Sequence, residues 1–136
     1  MSRSNGSRVL RVGAFAIVAL PDGAADLPVW PMAPELAGGG DVDWAAYARR
    51  NPGGFHGPEH HWRIHNTCFA LVGGGETTLV DCGVGAGPYP WYAGLRGELP
   101  ASLDAAGMAA ADFDRVFLTH AHPDHYGAIV ELVGDD

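Results

Sequence analysis

The sequence has no lysine at all. Its eight basic residues are arginines scattered along the chain, set against sixteen acids for a formal charge of −8. Nothing in that distribution forms a basic stripe, which argues against nucleic acid as a partner. Cysteine is nearly missing too: Cys68 and Cys82 are too few for a disulfide scaffold. No apolar run approaches the ~20 residues needed to cross a bilayer, so no membrane role is expected. Disorder is excluded from the other side, with 47% hydrophobic against 18% charged residues. What remains is one modest globular domain of 136 residues with an acidic surface. Such a surface suits solubility and a small or neutral substrate, and a cytoplasmic location is expected.

The longest apolar stretch, residues 12–20, follows several arginines and precedes small residues, loosely in the manner of a secretory signal. A poor cleavage pattern, and Arg8 and Arg11 within the strand-like stretch, favour a first β-strand within residues 1–20, ended by the turn signal Pro21-Asp22-Gly23. Residues 21–66 are rich in Pro, Gly and Trp and read as a long loop, either a pocket wall or a partly disordered insertion. Their one helical signal is "DVDWAAYARR", with an aspartate at its start and arginines in its last turn.

Residues 67–136 are more regular. "TCFALV" and "TTLVDCG" flank a glycine-rich turn and predict a hairpin. Cys68 and Cys82 then lie almost opposite each other, as a cross-strand disulfide or, more in keeping with a cytoplasmic protein, as free buried thiols. Leu95, Leu99, Leu103 and Ala106 mark an amphipathic helix stopped by Gly107, with Pro100 in its first turn. "DRVFLTH" reads as a buried strand, and Tyr126, Ile129, Val130 and Val133 as one face of a last helix.

Between that strand and that helix stands "THAHPDHYG". Alternate side chains of extended backbone point the same way, so the imidazoles of His120 and His122 can reach one ion. Asp124 and His125 follow Pro123 and are aimed at a second point, so two metals are expected rather than one. Imidazole and carboxylate suit Zn²⁺, and such mixed sites also accept Mn, Fe or Co. Asp124 has a plainer alternative role, as the cap of a helix beginning at His125.

The motif Thr119-His120-x-His122-x-Asp124-His125 with Gly127, preceded by "TLVDCG", resembles the metallo-β-lactamase superfamily, although Tyr126 stands where that family often has glycine. The resemblance covers roughly residues 66–133. It implies an α/β fold of the αββα sandwich type, here its N-terminal portion and incomplete. It further implies a hydrolase in which His120 and His122 hold the first metal and Asp124 and His125 the second. A hydroxide held between the two metals would attack a lactone, ester or phosphotriester, oriented by Asp124 as the catalytic residue. Asp81 would brace the loop through hydrogen bonds; its alternative is an ordinary turn aspartate.

That family draws further ligands from later in its chain, whereas no histidine follows His125 here and the only later acids are Glu131, Asp135 and Asp136. The expectation is therefore a longer enzyme, or a half-sandwich whose apolar face is covered by a partner or a second copy. The alternative function is a non-catalytic metal-binding or interaction module that keeps the motif. His56, His60, His61 and His65 could be ligands, pocket lining or solvent-exposed loop residues. The long segment before the hairpin is more like the lactonase and organophosphate-hydrolase branch, with Trp30, Trp44, Phe55, Trp62 and Trp91 either walling a pocket or packing the other half of the fold.

Overall fold

The computed structural model describes residues 8–28, 43–56, 61–129 and 132, without the Trp91 side chain. Residues 9–20 do not form one strand. β1 (Val9–Val12) turns at Gly13, whose φ is +58°, into β2 (Phe15–Leu27). β2 also runs straight through Pro21-Asp22-Gly23, where a turn was expected. The triplet is a β-bulge: Pro21 pairs with Thr67 and Gly23 with Asn66, which leaves Asp22 as the extra residue. A proline can sit at a bulge because no ladder donor is needed there, and Gly23 takes φ +119°. The inserted residue shifts the alternation, so Leu20, Asp22 and Ala25 are all buried.

Much of the expected long loop is ordered. α1 (Trp44–Arg50) is capped by Asp43, whose carboxylate accepts the Ala46 N–H at 2.8 Å, and it ends on Arg49 and Arg50. Asp41, the residue expected to start it, lies outside the described residues. β3 (Phe55–His56) follows, then β4 (His61–Gly73), which pairs with β2 almost end to end. β5 (Glu76–Val80) closes the predicted hairpin through Gly74 and Gly75, both at positive φ. α2 (Leu99–Ala106) begins after Leu95, with Pro100 in its first turn, and stops at left-handed Gly107. β6 (Arg115–Phe117) lies parallel to β5, and α3 (Pro123–Tyr126) follows it.

The sheet order is β1-β2-β4-β5-β6, antiparallel except for the last pair. Trp62 of β4 pairs with Leu27 of β2 and with Phe55 of β3, so β3 occupies the same edge of β4 as β5. One sheet face is closed by α2: Leu20, Cys68, Ala70, Leu79, Cys82, Leu99 and Leu103 form its core. Cys68 and Cys82 are free. Burial pushes both thiols up, Cys82 to about 11, so neither is a ready nucleophile.

The opposite face carries the cross-strand row Ala19, Phe69, Val80 and Phe117, with Phe69 and Phe117 exposed. One helix-covered face and one open apolar face are what an incomplete αββα sandwich presents. The same fact corrects the strand expected to be buried. All three residues of β6 are exposed: Phe117, at 59%, stands on the open face, and β6 is the last strand of the sheet among the described residues. In the last helical segment the inward residues are Ala128, Ile129 and Leu132, while Tyr126 faces out. Val130 and Val133 lie outside the described residues, as do Glu131, Asp135 and Asp136.

Candidate metal centre

The parallel strands β5 and β6 end side by side, and each delivers part of the site. After β5, Asp81 takes φ +60°, an uncommon conformation for a residue with a side chain. Its N–H donates to Phe117 O at 2.9 Å, which carries the strand pairing one step further. The Asp81 carboxylate accepts the Thr119 N–H at 2.8 Å, and its two oxygens lie 3.0 and 2.9 Å from the Thr119 hydroxyl. Its Oδ2 lies 2.8 Å from His125 Nδ1. Burial works to raise this carboxyl, and the Thr119 amide, the His125 ring and the Thr119 hydroxyl outweigh it, holding it below the usual carboxylate value. A carboxylate at Nδ1 places the proton on that nitrogen and leaves His125 Nε2 with its lone pair outward.

His120 and His122 are exposed, and their rings meet edge to face with centroids 4.6 Å apart. His120 Nε2 stands 2.9 Å from His122 Nδ1, so these nitrogens either share a proton or face a common cation. These two rings come together on backbone that bends at Thr119 and His120 rather than on an extended strand. The second pair is less separate than expected: the His125 ring lies 3.9 Å from that of His120, while His125 Nε2 is 3.6 Å from Asp124 Oδ2. Asp124 does not cap a helix starting at His125. The helix opens two residues earlier, on Pro123, with His122 at the cap position.

Whether cations fit can be judged from these spacings. Two nitrogens bound at ~2.0–2.1 Å to one tetrahedral zinc lie about 3.3 Å apart. The separations of 2.9 Å for His120/His122 and 3.6 Å for Asp124/His125 bracket that value. The donor chemistry and pairwise spacing therefore suit a divalent cation at each pair. They suit it two donors at a time: among the described residues no three His, Cys, Asp or Glu side chains are arranged to hold an ion.

α3 is a single turn and is held by its surroundings. The Cys82 N–H donates to His125 O at 2.7 Å, the Gly127 N–H to Gly83 O at 2.8 Å and the Ala128 N–H to Cys82 O at 3.3 Å. Any Cβ at Gly127 would run into Val84 O, so glycine is required there for close approach rather than for its φ of −56°.

The other histidines do not join the site by helical spacing. His61 and His65 lie on strand β4, His61 pairs with His56 of β3, and His65 is exposed; His60 lies outside the described residues. Of the five aromatics, Trp44 and Phe55 pack with ring centroids 6.3 Å apart, and Trp62 pairs with Phe55. Trp30 and the Trp91 side chain lie outside the described residues.

Two buried polar groups fall outside the residues that the sequence singled out for the site. Asn66 is buried, and its Oδ1 accepts the Tyr92 hydroxyl at 3.1 Å, while its Nδ2 has no partner among the described residues. Asp22 is fully buried, marked in sequence only by a turn-like triplet inside an apolar alternation.

A mixed sheet with helices on one face and polar side chains gathered at the carboxyl ends of its parallel strands is an α/β fold with its site in the usual place for that class. The metallo-beta-lactamase superfamily model matches residues 61–135, more than half of the chain, and the chain belongs to that superfamily. It is similar to the solved structure of AidC, a dizinc quorum-quenching lactonase in complex with a product. That likeness has 26% identity and a TM-score of 0.65, over 88% of this chain and 37% of that one. Likeness of fold extends to the hydrolase AbOPH (24% identity, TM-score 0.66, 91% of this chain, 39% of that one). It extends also to a probable metal-dependent hydrolase from Staphylococcus aureus (17% identity, TM-score 0.64, 85% of this chain, 41% of that one). The chain thus spans 37–41% of the length of these structures. None of the curated proteins matches the sequence.

Proposed function

We propose that this chain carries the cation-binding loop of a two-metal hydrolase acting on a small lactone, ester or phosphotriester. The observation that carries the reading is the donor pairing, with His120 Nε2 and His122 Nδ1 at 2.9 Å and Asp124 Oδ2 and His125 Nε2 at 3.6 Å. His120 and His122 would hold one cation, and Asp124 and His125 the other, with zinc the first choice and Mn, Fe or Co compatible. Such cations would supply Lewis acidity, lowering the pKa of a water toward neutrality and stabilising negative charge on a substrate oxygen.

The chain's own groups do the rest. Asp81 keeps the proton on His125 Nδ1, and Thr119 ties Asp81 to the His120 ring, its hydroxyl lying 3.1 Å from His120 Nδ1. Asp124 has a second oxygen beyond the one that faces His125, which can accept a hydrogen bond from the attacking water and orient it. Phe55 of β3 lies along the same edge of β4 as β5, paired with Trp62 and packed on Trp44, and these three would supply an apolar wall. The likeness to a dizinc lactonase supports the lactonase side of the lactonase and organophosphate-hydrolase branch. Free buried cysteines fit a cytoplasmic, reducing compartment. The apolar row through Phe69 and Phe117 is suited to cover by a second sheet, from further chain or from another copy.

Donors that converge only in pairs among the described residues favour a second reading, a non-catalytic metal-binding or interaction module. Metal content per chain, measured beside hydrolysis of a lactone and phosphotriester panel, separates the two. With the later ligands supplied, two cations and turnover are expected, whereas one tightly held cation and no turnover even then favours the module.

A further inference from the structure

Asp22 stands outside the histidine loop, yet its two oxygens reach the segment that supports it. Oδ2 accepts the Val84 N–H at 2.6 Å, and Oδ1 accepts the Glu98 and Leu99 N–H groups at 2.9 and 2.7 Å. One buried carboxylate thus joins the β2 bulge, the loop after β5 and the start of α2. That loop is the same one bonded to α3, through Cys82 to His125 O and Ala128 and through Gly83 to Gly127. There is no slack along this path. A Cβ at Gly83 would run into the Asp22 carboxylate, and one at Gly127 into Val84 O.

A one-turn helix has no stability of its own, so its position is set by what grips it. Asp81 grips the loop from the side of His125 and Thr119, and the Asp22 path grips α3 from the other. Simple space-filling at this buried point would be served better by an apolar side chain. Burial indeed pushes the Asp22 carboxyl up, even though the Val84, Leu99 and Glu98 amides hold it down.

We infer that Asp22 is a positioning residue for the cation loop, fixing residues 82–85 and, through them, the turn that presents Asp124 and His125. The inference rests on the two-cation reading above. Asp22→Asn keeps the volume but turns one acceptor oxygen into a donor that must face a backbone N–H. Ser102→Ala is the control: it removes a neighbouring tie, from the Ser102 hydroxyl to the Pro21 carbonyl, which joins α2 to β2 without touching residues 82–85.

Amide hydrogen exchange at Cys82, Gly127 and Ala128 without added metal is one readout, and Co²⁺ affinity from its absorption bands is the other. In D22N those three amides are expected to exchange about ten-fold faster relative to the β4–β5 ladder, with Co²⁺ bound roughly ten-fold more weakly, the size seen for groups behind metal ligands. Ser102→Ala is expected to change neither, even where it lowers thermal stability as much. Should D22N fail to fold, Asp22→Glu, which displaces the carboxylate by one methylene, is read in the same way. Identical exchange and affinity in the Asp22 and Ser102 variants would overturn the inference. A wild-type chain that binds no Co²⁺ would instead overturn the two-cation reading, and the exchange comparison would still decide the role of Asp22.

Discussion

Replacing Asp124 by alanine is expected to lower turnover about 100- to 1000-fold, the loss typical when one charge-stabilising group leaves a hydrolytic site. The same change should release one of two cations. Both effects follow from position. Asp124 sits in the first turn after Pro123, partly buried, with Oδ2 3.6 Å from His125 Nε2. On the proposed two-cation reading, one oxygen would share a cation with His125 and the other would accept a hydrogen bond from the attacking water. Asp124→Asn keeps the shape and one oxygen but not the charge, so it should recover some cation binding and little rate. Steady-state kcat, measured beside metal content per chain, checks both roles. Full occupancy with full rate in the alanine variant would remove Asp124 from each.

Loss of Asp81 should be felt in two quantities at once. Its carboxylate accepts the Thr119 amide, meets the Thr119 hydroxyl and holds His125 Nδ1, all while 12% exposed. Asp81→Ala orphans these donors in a partly buried place and puts alanine at φ +60°, for a destabilisation of about 3 kcal/mol. Without its orienting carboxylate the His125 ring is free to change tautomer, and cation affinity should fall about 10- to 100-fold. Asp81→Asn separates the effects, because asparagine tolerates the left-handed region and still offers one acceptor oxygen. It should restore most of the urea midpoint and little of the Co²⁺ affinity. An alanine variant that binds Co²⁺ like the wild type would leave Asp81 a turn residue and nothing more.

The parts of the fold that could be read from sequence are those fixed by local chemistry. The Gly74-Gly75 hairpin, the stop at Gly107 and the start of α2 near Pro100 each follow from one residue's backbone freedom or its lack. The histidine loop was legible because its spacing is short and its residue types are chemically distinctive. What was not legible depends on distant partners. Pro21-Asp22-Gly23 has the composition of a turn, and only thirteen residues of β4 lying alongside keep it within a strand as a bulge. β6 has the composition of a buried strand, yet its burial depends on a neighbour that sequence pattern does not supply. Asp22 looked like part of a turn because its partners, Val84, Glu98 and Leu99, lie more than sixty residues away. The approach of His125 to His120 likewise involves Asp81, a residue just past the end of another strand.

Anomalous diffraction from crystals grown with Zn²⁺ tests the central claim most directly. Two peaks about 3.5–4 Å apart are expected, one between His120 and His122 and the other between Asp124 and His125. A map with no peak at this loop, and the three imidazoles still packed ring against ring, would contradict the account.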